Sequence, residues 1–310
     1  MAQRQTAAEA NATRPDFNSK LGFEKSAPVD REWKAGQGLN AHSATERFTP
    51  AQTPGYHVIE IGKTEVKAGD LYKVMCGNIA PRPVALVGTY NEQGLPNLAP
   101  ISWYQMVSHD PPMAMISFGG SGAEGKLKDS DRNIRRNKCY TISSSWQYSC
   151  EPYLEALNYA SIDAPPNTSE FALAGLTPVP GRTVNAPRVG EAPFSMELEV
   201  DFTKEWNGAA GHHTTTMVVG KIKMLHLRKD IFNPDYSIDI SKTMPVSRFG
   251  GLTYGRTVAG YDLDRPKWSD IEKDAHVKEV LATGPKAPPA NFDKDDVLPH
   301  FPPRSDSSSL

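Results

Sequence analysis

Gly94-Leu95-Pro96-Asn97-Leu98-Ala99-Pro100-Ile101-Ser102-Trp103-Tyr104 is the stretch whose reading decides the fold of this 310-residue chain. Proline has no backbone N–H, so a strand carrying Pro96 and Pro100 cannot sit in the middle of a sheet and must lie at an edge or a bulge. Just upstream, residues 84–90 (VALVGTY) are an apolar run of strand length, and Asn91-Glu92-Gln93-Gly94 is a glycine-containing hairpin loop. The spacing predicts a return strand over residues 96–107. An edge strand of this kind either exposes backbone groups that can read a planar heterocycle, or is simply a proline-rich edge that resists aggregation.

Working outward, Asp110-Pro111-Pro112 breaks the chain before a second apolar run at 113–118, and Gly119, Gly120, Gly122 and Gly125 form a loop. Asp129 or Ser130 is the expected N-cap of a helix through residues 133–136, followed by a strand at 139–143 and a helix at 151–160. A proline-rich excursion opens at Ala164-Pro165-Pro166 and runs to residue 187. Strict alternation then returns at residues 194–202, Asn207-Gly208 marks a turn, and residues 214–227 read as a long β-branched strand. Strands in succession with few helices favour an antiparallel barrel over a parallel doubly wound sheet. No GxGxxG, P-loop or nucleophile-elbow motif competes.

The ends read differently. Residues 1–54 form an expected extended arm whose apolar residues, among them Phe17, Leu21, Phe23, Trp33 and Phe48, occur singly, as in a segment draped over its own barrel or a partner. The barrel domain is placed at 55–261. Residues 262–310 form a tail, with a short helix expected over 269–282 and a disordered proline- and serine-rich end.

A formal net charge of −2 supplies no global field for nucleic acid or an anionic membrane, so a small-molecule substrate is the expected partner and any anion site has to be local. Cys76, Cys139 and Cys150 are an odd number without CxxC spacing, so neither a disulfide framework nor a metal site is expected. No secretory h-region and no run near the roughly twenty apolar residues of a membrane span is visible, which points to a cytoplasmic protein.

A second constellation is Lys126-Leu127-Lys128-Asp129-Ser130-Asp131-Arg132-Asn133, where a glycine-rich loop enters a helix. Free helix amides, the Ser130 hydroxyl and Lys128 or Arg132 could hold a phosphate. Asp129 and Asp131 oppose that, and a capped surface helix with solvated charge is the plainer alternative.

These pieces together carry a resemblance. Asn78-Ile79-Ala80-Pro81-Arg82-Pro83, Asn97-Leu98-Ala99-Pro100-Ile101-Ser102, Asp110-Pro111-Pro112, Lys128-Asp129-Ser130-Asp131-Arg132-Asn133-Ile134, Phe171-Ala172-Leu173-Ala174-Gly175-Leu176-Thr177, Gly220-Lys221-Ile222 and Arg248-Phe249-Gly250-Gly251 occur in order over about residues 77–254. The region resembles the flavin-reductase-like, FMN-binding split β-barrel family, in its flavoprotein oxygenase-like and flavoredoxin-like branch. The resemblance implies a mainly β Greek-key split barrel with a few helices, and FMN at a homodimer interface. It implies that Ala99, Pro100, Ile101, Ser102 and Trp103 contact the flavin, with Ser102 near the phosphate or ribityl chain. Lys128, Ser130 and Arg132 would hold the phosphate, and Arg82 and Ser117 belong to the same cofactor-binding set. Asp131 stands where the family usually carries an apolar residue.

By a looser likeness His213, with His212, would act at the nicotinamide face; a solvated histidine pair is the alternative. The expected function is an FMN-dependent oxidoreductase acting on a small organic substrate, with NAD(P)H as possible co-substrate. The alternatives are a flavin reductase that supplies reduced FMN to a partner oxygenase, and a non-catalytic flavin or electron carrier.

Overall fold

A computed structural model describes residues 7–40, 56–120, 126–144, 153–286 and 296–297. They fall into two compact units, one built from Thr13–Phe23 and Met75–Val258, the other from Met1–Ala12, Glu24–Val74 and Ala259–Leu310.

In the larger unit seven strands form the main sheet: β1 (Ala85–Tyr90), β2 (Pro96–Ile101), β3 (Tyr104–His109), β4 (Pro112–Gly119), β5 (Cys139–Ser144), β6 (Phe194–Asn207) and β7 (His213–Leu227). Their spatial order is β2-β1-β5-β6-β7-β4-β3, with every neighbour antiparallel. The two edge strands, β2 and β3, are separated in sequence only by Ser102 and Trp103. The sheet therefore curls until its edges meet, and the result is a split barrel.

The expected single strand over residues 96–107 is thus two strands on opposite edges of the sheet. Its proline positions explain why the first of these is an edge. Leu98, opposite Gly88 on β1, donates its N–H to Glu170 Oε2 at 3.1 Å, away from β1. By strand alternation positions 96 and 100 point the same way, so each proline removes a donor that would have faced the open edge. Ser169 Oγ closes part of that edge by donating to the Pro96 carbonyl at 2.5 Å.

Alternation also sorts the core. Ala85, Val87, Ala114, Ile116, Phe118, Tyr140, Ile142, Met196, Leu198 and Val218 fill the barrel, with Ile134 from the helix Asp129–Asn137 plugging one end. Gly220 faces inward because a Cβ there would lie 2.6 Å from Tyr140 Oη. Outside β1 and β2 a second core gathers Leu86 and Leu98 with Leu157, Phe171 and Val189, contributed by the helices Leu154–Tyr159 and Glu170–Ala174 and the strand Pro187–Val189. The excursion at 164–187 is therefore the outer wall of half the barrel. The other half has thinner cover, and Phe202 and Trp206 on the outer face of β6 are 48% and 45% exposed.

Several boundaries differ from expectation. The helix expected to be capped by Asp129 or Ser130 starts at Asp129, and Lys128 occupies the cap position without a side-chain bond. Both candidate caps lie within the first turn, where Ser130 is turned into the fold instead. The alternating strand at 194–202 continues to Asn207, and the one at 214–227 begins at His213, because the two form one long hairpin with a bulge at Asp201. Helix 269–282 is instead two helices, Trp268–Ile271 and Ala275–Thr283, the second capped by Asp274, whose carboxylate accepts from the Val277 N–H at 3.0 Å.

The arm is not structureless either. Glu24–Ser26 pairs in parallel with Ala259–Tyr261, and Gly36, at φ +79°, lies under Val280, whose methyls a Cβ would meet at 2.9 Å. Periodicity misses such a pairing because its strands are three residues long and over two hundred residues apart. Phe17 lies on the barrel unit, under the Arg256 guanidinium at 4.5 Å. Phe48, Cys150 and the serine-rich end lie outside the described residues. No described helix is long and apolar enough to cross a membrane.

Candidate functional site

The edges of the barrel meet at Ser102 and Trp103, and the motifs that hold Arg82 and Phe249 come together at that junction. Arg82 is buried, and its guanidinium makes four hydrogen bonds. Nη1 donates to the carbonyls of Cys76 (2.6 Å) and Ile79 (2.8 Å), Nη2 to that of Phe249 (3.0 Å), and Nε to Ser102 Oγ (3.3 Å). Arg82 thus ties two loops together and sets the Ser102 hydroxyl. Ala99 and Ile101 face the barrel interior opposite Val87 and Ala85, while Pro100 faces out. Trp103 accepts the Ser117 N–H at 2.9 Å, so Trp103 and Ser117 adjoin on the outer side of β4. Tyr104 turns inward, and burial pushes its phenol up to about 12.

The phosphate candidates diverge. Ser130 is buried, and its Oγ accepts from Asn97 Nδ2 at 2.9 Å. Arg132 is on the exposed side, paired with Asp129 and donating to the Leu127 carbonyl at 2.5 Å. Among the described residues Lys128 Nζ has a single ion pair, 3.3 Å from Asp163, whose side chain is 85% exposed. The structure therefore does not bring Ser130, Lys128 and Arg132 to one point. A solvent-screened pair of this kind is worth little, so an anion can displace Asp163 from Lys128.

His212 and His213 part company as well. His212 lies in the turn after β6, where its carbonyl accepts the Gly208 N–H at 2.9 Å. His213 is half-buried, with Nε2 2.8 Å from Thr216 Oγ1. Arg135 reaches the same Thr216 oxygen through Nη2 (2.9 Å), while its Nε meets Asp131 Oδ1 (2.7 Å) and its Nη1 meets Glu205 Oε1 (2.5 Å). Asp131 Oδ2 and His213 Nδ1 are buried and have no hydrogen-bond partner among the described residues. Arg135, Thr216 and Glu205 escaped the sequence reading, although Asp131 and Arg135 at i and i+4 on a helix are the spacing of a salt bridge.

FMN needs a flat surface with backbone groups at hand and one cation for its phosphate. The half-buried Ser102, Trp103 and Ser117 supply the former and Lys128 the latter, so the residues fit the group.

Residues 77–245 match the flavin reductase like domain. An uncharacterized protein of Halalkalibacterium halodurans is 33% identical over 195 residues, covering 63% of this chain and 90% of that protein. The crystal structure of nitrilotriacetate monooxygenase component B from Bacillus cereus superposes with a TM-score of 0.62 at 27% identity, over 67% of this chain and 100% of that one. Pseudomonas fluorescens 2-nitrobenzoate 2-nitroreductase gives 0.57 at 25% identity, over 65% and 93%.

Proposed function

The chain belongs to the flavin reductase-like family, and from that premise we propose that it is an FMN-dependent oxidoreductase that keeps its flavin bound and acts on a small organic substrate. Flavin-related redox chemistry follows from the family; the retained cofactor and the substrate class are the proposal. The observation that carries it is the junction at Ser102 and Trp103, where an edge whose prolines leave no N–H at 96 and 100 meets the outer face of β4.

When bound, FMN supplies hydride and electron transfer. The protein's own residues bind and orient. Ser102, held by Arg82, and the backbone of residues 99–103 line the flavin edge, Trp103 and Ser117 flank it, and Lys128 neutralises the phosphate after releasing Asp163. NAD(P)H is the proposed hydride donor and His213 the residue at its face. The likeness to a monooxygenase component favours an alternative in which the chain releases reduced flavin to a partner oxygenase. Gel filtration separates the two: a retained flavin co-elutes with protein, and a released one does not.

The test of the phosphate site is Lys128→Ala titrated with FMN and riboflavin by fluorescence quenching. FMN affinity should fall about ten- to hundredfold while riboflavin affinity stays put, because only FMN carries the charge that Lys128 meets. Equal losses for both ligands, or none, would place the phosphate elsewhere.

A homodimer is the proposed assembly. It is supported by exposed apolar residues, Met106 at 69% and Val107 at 50% exposure on β3 and Phe202 and Trp206 on the outer face of β6. Light scattering should report twice the chain mass, and Trp206→Glu combined with Met106→Glu should halve it. A wild-type monomer at micromolar concentration would sink this assignment.

A further inference from the structure

A cleft of about 480 Å³ opens between three segments far apart in sequence: the turn after β1, the last turn of the helix Asp129–Asn137, and the loop at 180–185 on the outer wall. That is room for a small metabolite, and each wall is fixed from behind. The Asn91 side chain accepts the N–H groups of Gln93 (3.0 Å) and Leu95 (2.8 Å), which sets the turn. Glu197 accepts those of Arg182, Thr183 and Val184, which sets the outer loop. Arg136 Nη2 and Asn137 Nδ2 both donate to the Tyr90 carbonyl at 2.8 Å, which ties the helix to β1. The shape is therefore in place before anything enters, and little ordering cost attaches to filling it.

What the cleft presents is one cation with spare donors. Arg136 commits Nε to Asn137 Oδ1 (3.1 Å) and one Nη2 proton to Tyr90, and among the described residues its Nη1 meets only Glu92 Oε1, at 3.4 Å. A charge-assisted bond of this type is about 2.7 to 2.9 Å long, so the contact is loose, and water screens Glu92, whose side chain is 73% exposed. Arg135, one position earlier, is the contrast, with all three of its nitrogens bonded to Asp131, Glu205 and Thr216. Tyr90 lies on the outer face of β1 in step with Leu86 and Gly88, so its ring lines the cleft together with Pro180 and Val184. We propose that this cleft binds a small organic carboxylate with a flat apolar body, its acid group on Arg136 in place of Glu92 and its body between Tyr90 and the wall formed by Pro180 and Val184. Lys128 precedes the first turn of the same helix and Arg136 sits in its last, so the site stands apart from the flavin residues and does not depend on them. The carbonyl end of a helix does not attract anions, so the attraction rests on the Arg136 guanidinium.

Benzoate is the probe, titrated into the full-length protein and followed by saturation-transfer difference NMR, with benzamide as the uncharged control. Benzoate should bind saturably, and benzamide at least about tenfold more weakly, because it offers Arg136 no charge. Arg136→Met should weaken benzoate about tenfold or more. Glu92→Gln removes the competing carboxylate and should tighten benzoate about two- to fivefold, the worth of a screened surface pair. Saturating FMN should leave benzoate binding unchanged. Failure to saturate at tens of millimolar, equal affinity for benzamide, or displacement of benzoate by FMN each overturns the proposal, as does an Arg136→Met variant that melts like wild type and binds benzoate as well. Should Arg136→Met be destabilised, the exposed Glu92→Gln decides: benzoate affinity unchanged or weakened there overturns the proposal too.

Discussion

Gly88→Ala should lower the stability of the barrel unit by about 3 kcal/mol, a drop in Tm on the order of 6–12 °C for a unit of this size. Gly88 lies in the middle of β1 and faces outward, under the strand Pro187–Val189. A Cβ there would sit 1.9 Å from the Pro187 carbonyl oxygen and 2.7 Å from Thr141 Oγ1. Neither obstacle can yield alone. Thr141 Oγ1 donates to that same carbonyl at 2.5 Å, and Ser143 Oγ accepts the Val189 N–H at 3.0 Å two residues on, so moving the outer strand strips buried hydrogen bonds as well as packing. Gly69→Ala, in the helix Ala68–Asn78 with nothing within 4 Å of its Cβ position, is the control and should be neutral or slightly stabilising. Thermal unfolding of both variants gives the answer, and a wild-type Tm for Gly88→Ala would mean that the outer strand is not seated as described.

An effect of similar size attaches to Glu197, a fully buried carboxylate on the outer face of β6. Its Oε1 accepts from the Arg182 N–H (2.9 Å) and faces His226 Nε2 (2.6 Å); its Oε2 accepts from the Thr183 N–H (2.6 Å), Thr183 Oγ1 (2.6 Å) and the Val184 N–H (3.2 Å). Burial by itself would raise the carboxyl, but these donors outweigh it and lower it from 4.5 to about 2. A folded-state value below the unfolded one means that the ionised group stabilises the fold above pH 4.5, and that this stability drains away as the pH falls from about 4.5 through about 2. The loss over that window is on the order of 3 kcal/mol. Glu197→Gln should cost about 3 to 5 kcal/mol at neutral pH, since it leaves inward-pointing amides facing an NH2 group, and should flatten the acid limb. Denaturant unfolding of both proteins between pH 2 and 7 checks this. Parallel acid limbs would show that Glu197 does not carry the dependence.

Both residues sit under the region that the sequence marks only as a proline-rich excursion. Alternation over residues 194–202 shows that Glu197 lies on the face opposite Met196 and Leu198, which ordinarily means solvent. What buries it is the loop at 181–186, folded back over β6 with its amides pointing inward, and nothing in the periodicity of either segment announces that meeting. Gly88 is equally quiet: a glycine inside a β-branched run signals a bulge or a close approach, and only the arrival of Pro187 says which.

The phosphate constellation divides in the same way. That residues 129–137 are a helix entered from a glycine-rich loop is local chemistry and legible. That Ser130 turns to Asn97 while Lys128 and Arg132 turn outward follows from the angle at which the helix plugs the barrel, set by Ile134 in the core.

By itself the sequence determined where most strands of the main sheet lie, because side-chain alternation and proline and glycine punctuation act over a few residues. It also determined that residues 96–103 form an edge, since a missing N–H is a covalent fact, and it carried the ordered motifs of the flavin reductase-like family. The tertiary structure alone decided that this edge is two edges of one closed sheet, that Arg82 is a tie, that Lys128 has only a displaceable partner, and that Arg135, Thr216 and His213 form a chain of hydrogen bonds. The physical reason is that each of these depends on directional contacts, good to a few tenths of an ångström, between residues dozens to hundreds of positions apart. Burial sets their strength, and burial exists only once the whole barrel has closed.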